Sequence, residues 1–327
     1  MATLASQLFG CLVRYRNHGY DRGQFGVARL TAPVVSVGNL SVGGTAKTPA
    51  VIALAQGLRA RGHRVDVLTR GYGRPTRHPV ILDPAQPAPL QAGDEPRLIA
   101  RHAQVPVLVD ADRFRAGLEG ERIFHSAVHL LDDGLQHRQL ARNFELVMLD
   151  PADLDDFLLP RGRLRETPTA LSRAAAVVVL ASPATPALHA AMLARLRRFT
   201  AAPVYFAHKA PRLAAPAPRR PLAFCGLARP ASFWASLDAL GVKPAACRSF
   251  RDHHRYSHRD LRRLRQWAEQ TQADGFITTE KDACNLPPEA ARLLAPCAVV
   301  AVDLVIASFD DLLQRIALAC NLPEPGA

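Results

Sequence analysis

The sequence lacks three features that would point to common classes of protein. Its six cysteines include no C-x-x-C pair, which argues against a zinc site or a disulfide scaffold and indicates free thiols in a reducing compartment. No apolar run reaches the roughly 18 residues that cross a bilayer. The N-terminus shows no basic segment followed by an apolar stretch and a cleavage site, so we expect no secretion signal.

Lysine and aromatic residues are also scarce, although basic charge is not. Only four lysines stand among 41 basic residues, against 29 acidic ones, and the formal net charge is +12. Such a surface favours polyanions or acidic membranes. Nucleic-acid binding is disfavoured, because aromatic residues form only 6% of the chain and the arginines are scattered. Each rare lysine therefore needs an explanation: Lys47, Lys209, Lys243 and Lys281.

Residues 1–23 combine an apolar stripe with basic residues. Leu4, Leu8, Leu12 and Tyr15 recur at helical spacing, and arginines and a histidine lie among and after them. Two interpretations are open at this point. The segment either lies in a membrane interface, with its arginines meeting anionic headgroups, or forms an ordinary amphipathic helix on its own domain.

Short β-branched runs alternate with helical patterns along most of the chain. The run 33–38, a helical pattern ending near Gly62 and a strand at 65–69 form a βαβ unit, which normally implies parallel strands. The sequence therefore predicts an α/β fold with a doubly wound, mostly parallel sheet. Further strands are predicted at 105–109, 127–131, 144–149, 176–181, 222–226, 275–278 and 298–304, and helices at 95–103, 112–122 and 184–198.

A proline-rich, basic stretch interrupts this alternation at 208–221 and predicts a linker. The expected organisation has four parts. An N-terminal amphipathic membrane-interface segment at 1–23 precedes a core at 24–207, and the linker joins that core to a second, smaller C-terminal α/β domain at 222–327.

The segment GNLSVGGTAKTP at 38–49 joins the first predicted strand to the first predicted helix, as a phosphate-binding P-loop does. The core is therefore expected to be of the P-loop NTPase type. Lys47 would reach the β- and γ-phosphates, and the Thr48 hydroxyl would bind Mg²⁺. The motif departs from its usual form at Ser41 and Ala46, and the β-carbon of Ala46 would point towards the phosphates. The predicted ATP-binding residues are Ser41, Val42, Gly43, Gly44, Thr45, Ala46, Lys47 and Thr48.

Acidic residues at two further places are candidates for the chemistry. Asp132 and Asp133 follow the strand at 127–131, so they should lie at the same sheet edge as the P-loop, where they could bind Mg²⁺. An Asp-Gly turn is the simpler alternative. Asp94, in GDEP at 93–96, could cap a helix or act as a general base. His253, in DHH at 252–254, offers such a base a partner.

An ordered series of segments resembles one family, the tetraacyldisaccharide 4′-kinases. The series covers nearly the whole chain, and its order makes it specific. It comprises VGNLSVGGTAKTP at 37–49, TRGYGR at 69–74, GDEP at 93–96, LLDDGLQH at 130–137, LLPRGRLRE at 158–166, AFCGLARPASF at 223–233, FRDHH at 250–254 and ITTEKDA at 277–283.

The resemblance implies an enzyme that transfers the γ-phosphate of ATP to the 4′-hydroxyl of tetraacyldisaccharide 1-phosphate, in lipid A biosynthesis. It implies ATP and Mg²⁺ as cofactors, with Lys47, Asp94 and His253 in catalysis. Asp94 would activate the hydroxyl, and an imidazolium of His253 would orient and stabilise it, which requires the domains to close. Lys281 is expected to form an ion pair with Glu280 or Asp282.

The same resemblance assigns the remaining site residues. The residues implied in the magnesium environment are Thr48, Glu95, Asp132 and Asp133. The residues implied at the junction with the substrate are Asn39, Arg70, Tyr72, Gln136, His137, Arg161, Arg163 and Glu166, with Arg165 beside them. The arginines at 161–165 suit a phosphate through bidentate hydrogen bonds, but they would serve equally well as a solvated surface.

A tetraacylated substrate lies in a membrane leaflet, so the resemblance also favours peripheral attachment at the cytoplasmic face of the bacterial inner membrane. The partners would be the lipid substrate and the membrane surface, without nucleic acid. The family commonly starts with a more hydrophobic helix, so residues 1–23 are expected to lie on the membrane rather than span it. The alternative function is a P-loop ATPase or GTPase switch that acts through a protein partner, with no lipid acceptor.

Overall fold

The computed structural model describes residues 2–72, 74, 78–86, 90–181 and 186–323. Its helices are α1 (Ala2–Asp21), α2 (Lys47–Ala60), α3 (Asp94–Ala103), α4 (Arg113–Phe124), α5 (Pro186–Leu196), α6 (Pro230–Ala239), α7 (His258–Gln270), α8 (Glu280–Ala283), α9 (Ala290–Leu293) and α10 (Phe309–Ala319). Its strands are β1 (Val34–Asn39), β2 (Val65–Thr69), β3 (Val80–Leu82), β4 (Val107–Val109), β5 (Val128–Asp132), β6 (Phe144–Leu149), β7 (Ala176–Leu180), β8 (Val204–Leu213), β9 (Leu222–Cys225), β10 (Ala246–Ser249), β11 (Phe276–Thr279) and β12 (Cys297–Ile306).

The chain forms two compact units. The core unit contains the described residues of Met1–Ala92, Ile99–Lys209 and Leu304–Ala327. The small unit contains Gly93–Leu98 and Ala210–Asp303. Strands β8 and β12 and helix α3 each pass from one unit into the other.

This division differs from the predicted one at three places. The expected linker at 208–221 begins inside β8, where the chain is a regular strand. Residues 304–323, expected in the C-terminal domain, return to the core unit through β12. The short segment Gly93–Leu98, expected in the core, belongs to the small unit. Composition suggested the linker, but a strand tolerates proline wherever its missing N–H is not needed for the ladder.

The core sheet confirms the predicted α/β fold with a mostly parallel sheet. Its strand order is β8–β7–β6–β1–β5–β2–β4–β3, and its pairs are parallel except for β3 with β4. Every residue of β1, β2, β5 and β6 is buried. This explains why apolar residues predominate without a regular alternation, because strands covered on both faces do not alternate between apolar and polar residues.

Helix α2 packs beside this sheet through one apolar face, whose buried members include Val51, Leu54 and Leu58. Gly57, also on α2, leaves room for α10, because a β-carbon there would lie 2.6 Å from a methyl group of Leu313. The last described helix is therefore part of the packing around the P-loop helix.

The strands of the small unit pair in parallel, in the order β10–β9–β11–β12. Helix α7 starts with a capping box between Ser257 and Asp260 and buries Leu261 and Leu264 in a cluster with Phe224. Satisfied amides at the helix start and an apolar face explain why this strongly charged sequence is helical.

Most predicted elements are confirmed within a few residues. The strands predicted at 65–69 and 144–149 have those bounds in the structure, and β1 extends from residue 34 to residue 39. The short strands β3 and β10 were not predicted. Gly73 of the TRGYGR segment and residues 184–185 of the helix predicted at 184–198 lie outside the described residues.

Candidate active site

Asn39, the last residue of β1, organises the loop that follows. Its side-chain nitrogen donates to the carbonyl oxygen of Ser41 and to the hydroxyl of Thr45, each at 2.7 Å. Its side-chain oxygen accepts a hydrogen bond from Lys47 Nζ at 2.9 Å. Asn39 is fully buried. One buried side chain therefore contacts Ser41 near the start of the loop, Thr45 near its end, and Lys47. The interpretation of Asn39 as a junction residue had not included this structural role.

Ala46 has a left-handed backbone, with φ 55° and ψ 30°, immediately before α2. This explains why the motif normally has glycine here, because an L-residue with a β-carbon is strained in that region. The side chain is buried in the apolar cluster that contains Val37 and Val51. The β-carbon packs among core residues, which argues against the expectation that it points towards the phosphates.

Asp133 lies between two cations at the end of β5. Both nitrogens of the Arg165 fork donate to its carboxylate, at 2.7 and 2.8 Å, and Lys47 Nζ lies 3.4 Å away. Burial would raise the pKa of Asp133, but the hydrogen bonds from Arg165 and the charge of Lys47 lower it well below the ordinary value. The carboxylate is therefore ionised throughout the physiological pH range. Asp133 and Asn39 both contact Lys47 Nζ and so position it.

The segment 156–166 supports the loop from outside. The Val42 amide donates to the carbonyl oxygen of Arg163 at 2.8 Å, and Ser41 forms an antiparallel bridge with Leu164. The Arg163 side chain pairs with Asp156 at 2.8 Å, while the Arg161 guanidinium lies 3.7 Å from the centre of the Phe157 ring. Both arginines thus have partners within their own segment.

Glu166 is almost completely buried and accepts hydrogen bonds from several elements of the core unit. The donors are Asn17 of α1, Gln136 and Arg173. The Gln136 amide also donates to the Asn39 carbonyl oxygen at 3.1 Å. The structure therefore brings Asn39, Gln136 and Glu166 together, as the resemblance implied, and links them to α1.

The other expected junction residues lie near the same end of the core sheet. His137 is half-buried near Arg113 and Arg142, and its partial burial together with those charges lowers its pKa to about 4, so its imidazole is neutral at pH 7. Arg113 is buried. Its burial and the charge of Arg70 lower its pKa, and the charges of Asp133 and Asp132 oppose that shift. Tyr72 is 73% exposed. Arg113 was missed, because no motif in the sequence marked it.

The residues expected to hold Mg²⁺ in the core unit have suitable chemistry. Thr48 supplies a hydroxyl at the second position of α2. Asp132 ends β5, and Thr69 Oγ1 donates to one of its oxygens at 2.9 Å, which orients the carboxylate. Mg²⁺ is commonly held by one or two such oxygens together with waters and phosphates. Asp133 is less suited to contact the ion directly, because Arg165 and Lys47 already bind it.

Asp94 and His253 meet within the small unit. His253 Nδ1 lies 3.0 Å from Asp94 Oδ2, and the Asp94 side chain is only 5% exposed. Burial would raise the pKa of Asp94, but the hydrogen bond and charge of His253, with the charge of Lys281, lower it. The hydrogen bond to Asp94 chiefly raises the pKa of His253. His253 also has a left-handed backbone, with φ 55°, a strained conformation that is frequent at functional sites.

Lys281 has different partners from those expected. Its Nζ lies 3.2 Å from Asp252 Oδ1 and 3.1 Å from His253 Nε2, and 3.9 Å from Glu95 Oε1. The predicted ion pair with Glu280 or Asp282 is thus replaced by one with Asp252. Glu95 follows Asp94 at the start of α3 and belongs to the small unit.

The apolar stripe of α1 faces outwards. Leu4, Leu8, Leu12 and Tyr15 are between 59% and 71% exposed. The opposite side of the helix contacts the core unit, where Ser6 Oγ donates to the Leu158 carbonyl oxygen at 2.7 Å. The helix therefore packs on the core through its small and polar residues. Among the described residues, no helix is both long and apolar enough to cross a membrane.

Comparison with known proteins gives consistent similarities. A family model described as LpxK, tetraacyldisaccharide-1-P 4′-kinase, matches residues 1–319. Tetraacyldisaccharide 4′-kinase from Koribacter versatilis is 43% identical over 324 residues, which cover 95% of this chain and 96% of that protein. The protein of the same name from Anaeromyxobacter dehalogenans strain 2CP-C is 39% identical, over 95% and 88% of the two chains. A crystal structure of LpxK from Aquifex aeolicus in complex with ATP has a TM-score of 0.76 and 30% identity, over 97% and 98% of the two chains.

Proposed function

Because the chain belongs to the tetraacyldisaccharide-1-P 4′-kinase family, we propose that it transfers the γ-phosphate of ATP to the 4′-hydroxyl of tetraacyldisaccharide 1-phosphate. The observation that carries this proposal is the hydrogen bond between Asp94 and His253. A kinase needs a group that accepts the proton of the attacking hydroxyl. An ATPase or GTPase switch without a lipid acceptor would leave this pair without a role.

The P-loop residues Ser41 to Thr48 bind the phosphates of ATP. Backbone amides at the start of α2 face an anion favourably because of the helix dipole. Lys47, already positioned by Asn39 and Asp133, neutralises charge on the β- and γ-phosphates. Thr48 and Asp132 are the core-unit residues that would hold Mg²⁺, and Glu95 is the candidate in the small unit. The ion would offset negative charge on the transferred group.

Asp94 is the general base. Its ionised carboxylate accepts the proton of the 4′-hydroxyl as the oxygen forms its bond to the γ-phosphorus and the bond from that phosphorus to the ADP oxygen breaks. The bond to His253 Nδ1 holds the carboxylate in one orientation, so that an oxygen remains directed at the acceptor. The junction residues Arg70, Tyr72, His137, Arg161 and Arg163 are proposed to contact the substrate, with Asn39, Gln136 and Glu166 supporting them.

We also propose peripheral attachment to the cytoplasmic face of the bacterial inner membrane. The exposed stripe of α1 supports this placement, because four large apolar side chains point away from the core unit. Arg14, Arg16 and Arg22 lie among and beyond them. An apolar face together with basic residues provides the two signals that stable interfacial binding needs.

The test is transfer of label from γ-labelled ATP to tetraacyldisaccharide 1-phosphate in detergent micelles with Mg²⁺. We expect labelled lipid from the unaltered chain and a fall in kcat of about 10²–10⁴-fold for Asp94→Asn, with ATP affinity retained. Asp238→Asn, an exposed position of the small unit, is the matched control and should leave kcat unchanged. ATP hydrolysis without labelled lipid would instead support the NTPase switch, and loss of ATP binding in Asp94→Asn would make Asp94 a structural residue.

A further inference from the structure

We propose that Lys281 is a positioning residue that sets the tautomer of His253, so that Nδ1 carries the proton and donates it in the hydrogen bond to Asp94. This inference rests on the proposed roles of Asp94 and His253 and adds a third member to their chain of contacts. All the residues involved belong to the small unit.

The geometry places His253 between an acid and a cation. Nδ1 of the ring lies 3.0 Å from Asp94 Oδ2, and Nε2 lies 3.1 Å from Lys281 Nζ. A lysine ammonium has three donors and no acceptor, so Nε2 must supply the lone pair. An imidazole that accepts at Nε2 carries its proton at Nδ1, and that proton points to Asp94. Lys281 therefore opposes the expected imidazolium, because protonation of Nε2 would bring two positive charges within about 3 Å of each other, while the hydrogen bond to Asp94 holds the pKa of His253 above its ordinary value.

The backbone around His253 and Lys281 is fixed by the neighbouring residue of α8. Asp282 is buried and accepts hydrogen bonds from the Gly226 amide at 2.7 Å and from the Tyr256 hydroxyl at 2.8 Å. Thr279 Oγ1 donates to its other oxygen at 2.6 Å. The His253 amide in turn donates to the Gly226 carbonyl oxygen at 3.2 Å. Through Gly226, the Asp282 carboxylate of α8 is therefore connected to the end of β9 and to the loop that carries His253.

The position of Gly226 supports this reading. A β-carbon there would lie 2.9 Å from the Arg251 carbonyl oxygen and 3.0 Å from both Asp282 Oδ1 and His254 Cβ. Close approach of the two segments thus requires glycine. The ITTEKDA segment contributes twice: Asp282 positions the loop, and Lys281 positions the ring that the loop carries.

Within the part of the chain that the structure describes, the charged groups that act on His253 are Asp94, Asp252 and Lys281. The hydrogen bond and charge of Asp94, with the charge of Asp252, hold the pKa of the imidazole above its ordinary value, while burial and the charge of Lys281 lower it. Lys281 therefore opposes the effect of Asp94 and keeps the neutral ring accessible. Removal of its charge should raise the pKa of His253 and allow the proton to occupy Nε2.

The test compares Lys281→Met with Lys243→Met, which removes the same charge from an exposed position of the small unit. Nitrogen NMR of histidine-labelled protein, without substrate or metal, reports the tautomer, and His253→Gln assigns the signals. We expect an unprotonated Nε2 in the unaltered chain and a protonated or mixed Nε2 in Lys281→Met. We also expect about a tenfold fall in kcat, unchanged KM values, and an acid limb of the pH profile moved to higher pH. Lys281→Arg should restore part of the rate, and Lys243→Met should change none of these quantities.

The outcomes separate this inference from the proposed function. An unchanged histidine spectrum and pH profile in Lys281→Met would overturn the positioning role, even if Asp94→Asn had lost activity as expected. A loss of rate with a lowered melting temperature and no effect on the tautomer would make Lys281 only structural, which also overturns it. If Asp94→Asn kept full activity, that result would contradict the proposed role of Asp94 as general base and not the effect of Lys281 on the His253 tautomer.

Discussion

At the scale of single residues, Ala46 shows how a motif can depart from its usual form and keep its geometry. Its backbone adopts the left-handed region that glycine occupies freely. The strain costs about 1–2 kcal/mol, which the buried packing of the side chain with the core cluster partly offsets. We therefore expect the departure to affect the stability of the loop more than the space available to the phosphates.

Ala46→Gly should change ATP affinity by less than about twofold. Relief of backbone strain and the greater entropy of the unfolded glycine chain oppose each other, so the unfolding free energy should change by no more than about 1 kcal/mol. Ala46→Val should weaken ATP binding and stability together, because a β-branched residue at positive φ is strongly strained. Calorimetric titration with Mg-ATP measures the ATP affinity, and denaturant unfolding measures the unfolding free energy. A tenfold gain in affinity for the glycine variant would show that the β-carbon crowds the phosphates after all.

The residues of the site differ in how far the sequence could reveal them. Lys47 and Thr48 followed from the position of a glycine-rich loop between a strand and a helix. The pairing of Asp94 with His253 came from the family resemblance, because the two residues are 159 positions apart in the sequence and no periodicity links them. Arg113 and the link from Lys281 to His253 could not be predicted, since both depend on how distant loops meet.

At the scale of secondary structure, α1 has two faces with different chemistry. Small and polar residues contact the core unit, as Ser6 does at Leu158 and Asn17 does at Glu166. The large apolar residues remain exposed. The sequence pattern gave the helix but not its orientation, because an apolar stripe normally faces a protein core.

Replacement of Leu8 and Leu12 by serine should weaken binding to vesicles that contain anionic lipid by at least tenfold. Transfer of one leucine side chain from water stabilises binding by about 1.5–3 kcal/mol. Leu118→Ser, an exposed leucine on α4, is the control and should bind like the unaltered chain. Vesicle sedimentation measures the partition, and activity on a short-chain soluble analogue should be retained. Equal binding by all three proteins would exclude α1 as the membrane contact.

The fully buried strands were predicted from their apolar sequences, and the partly exposed strands β8 and β3 were not. The apolar runs of β2 and β6 could be read directly, because both of their faces are covered. The half-exposed β8 contains His208, Lys209 and Pro211, so its composition was typical of a linker. The three-residue strand β3 is too short to show a period.

At the scale of the whole molecule, most of the small unit is inserted into the sequence of the core unit, between Lys209 and Leu304. Residues 304–323 rejoin the core after it, and Leu312, Leu313 and Ile316 of α10 are buried there. Composition could not predict this return, because the chain re-enters through the ordinary apolar strand β12.

Leu312→Ala should lower the unfolding free energy by about 2–5 kcal/mol, because it leaves a cavity in the packing of the core unit. Leu318→Ala lies on the same helix but is 66% exposed, and its cost should stay below about 0.5 kcal/mol. Denaturant unfolding followed by circular dichroism gives both values. Equal costs for the two variants would mean that α10 does not pack against the core as described.

The insertion also bears on the order of events during synthesis. The small unit draws nearly all of its residues from 210–303, so its sheet can form once that stretch has left the ribosome. The core unit still lacks β12's last residues and α10 at that moment. Domains generally fold as units during translation, and here the larger one must wait for the smaller. We therefore expect the packing of α10 beside the P-loop helix α2 to be completed late, after the segment that carries His253 has left the ribosome.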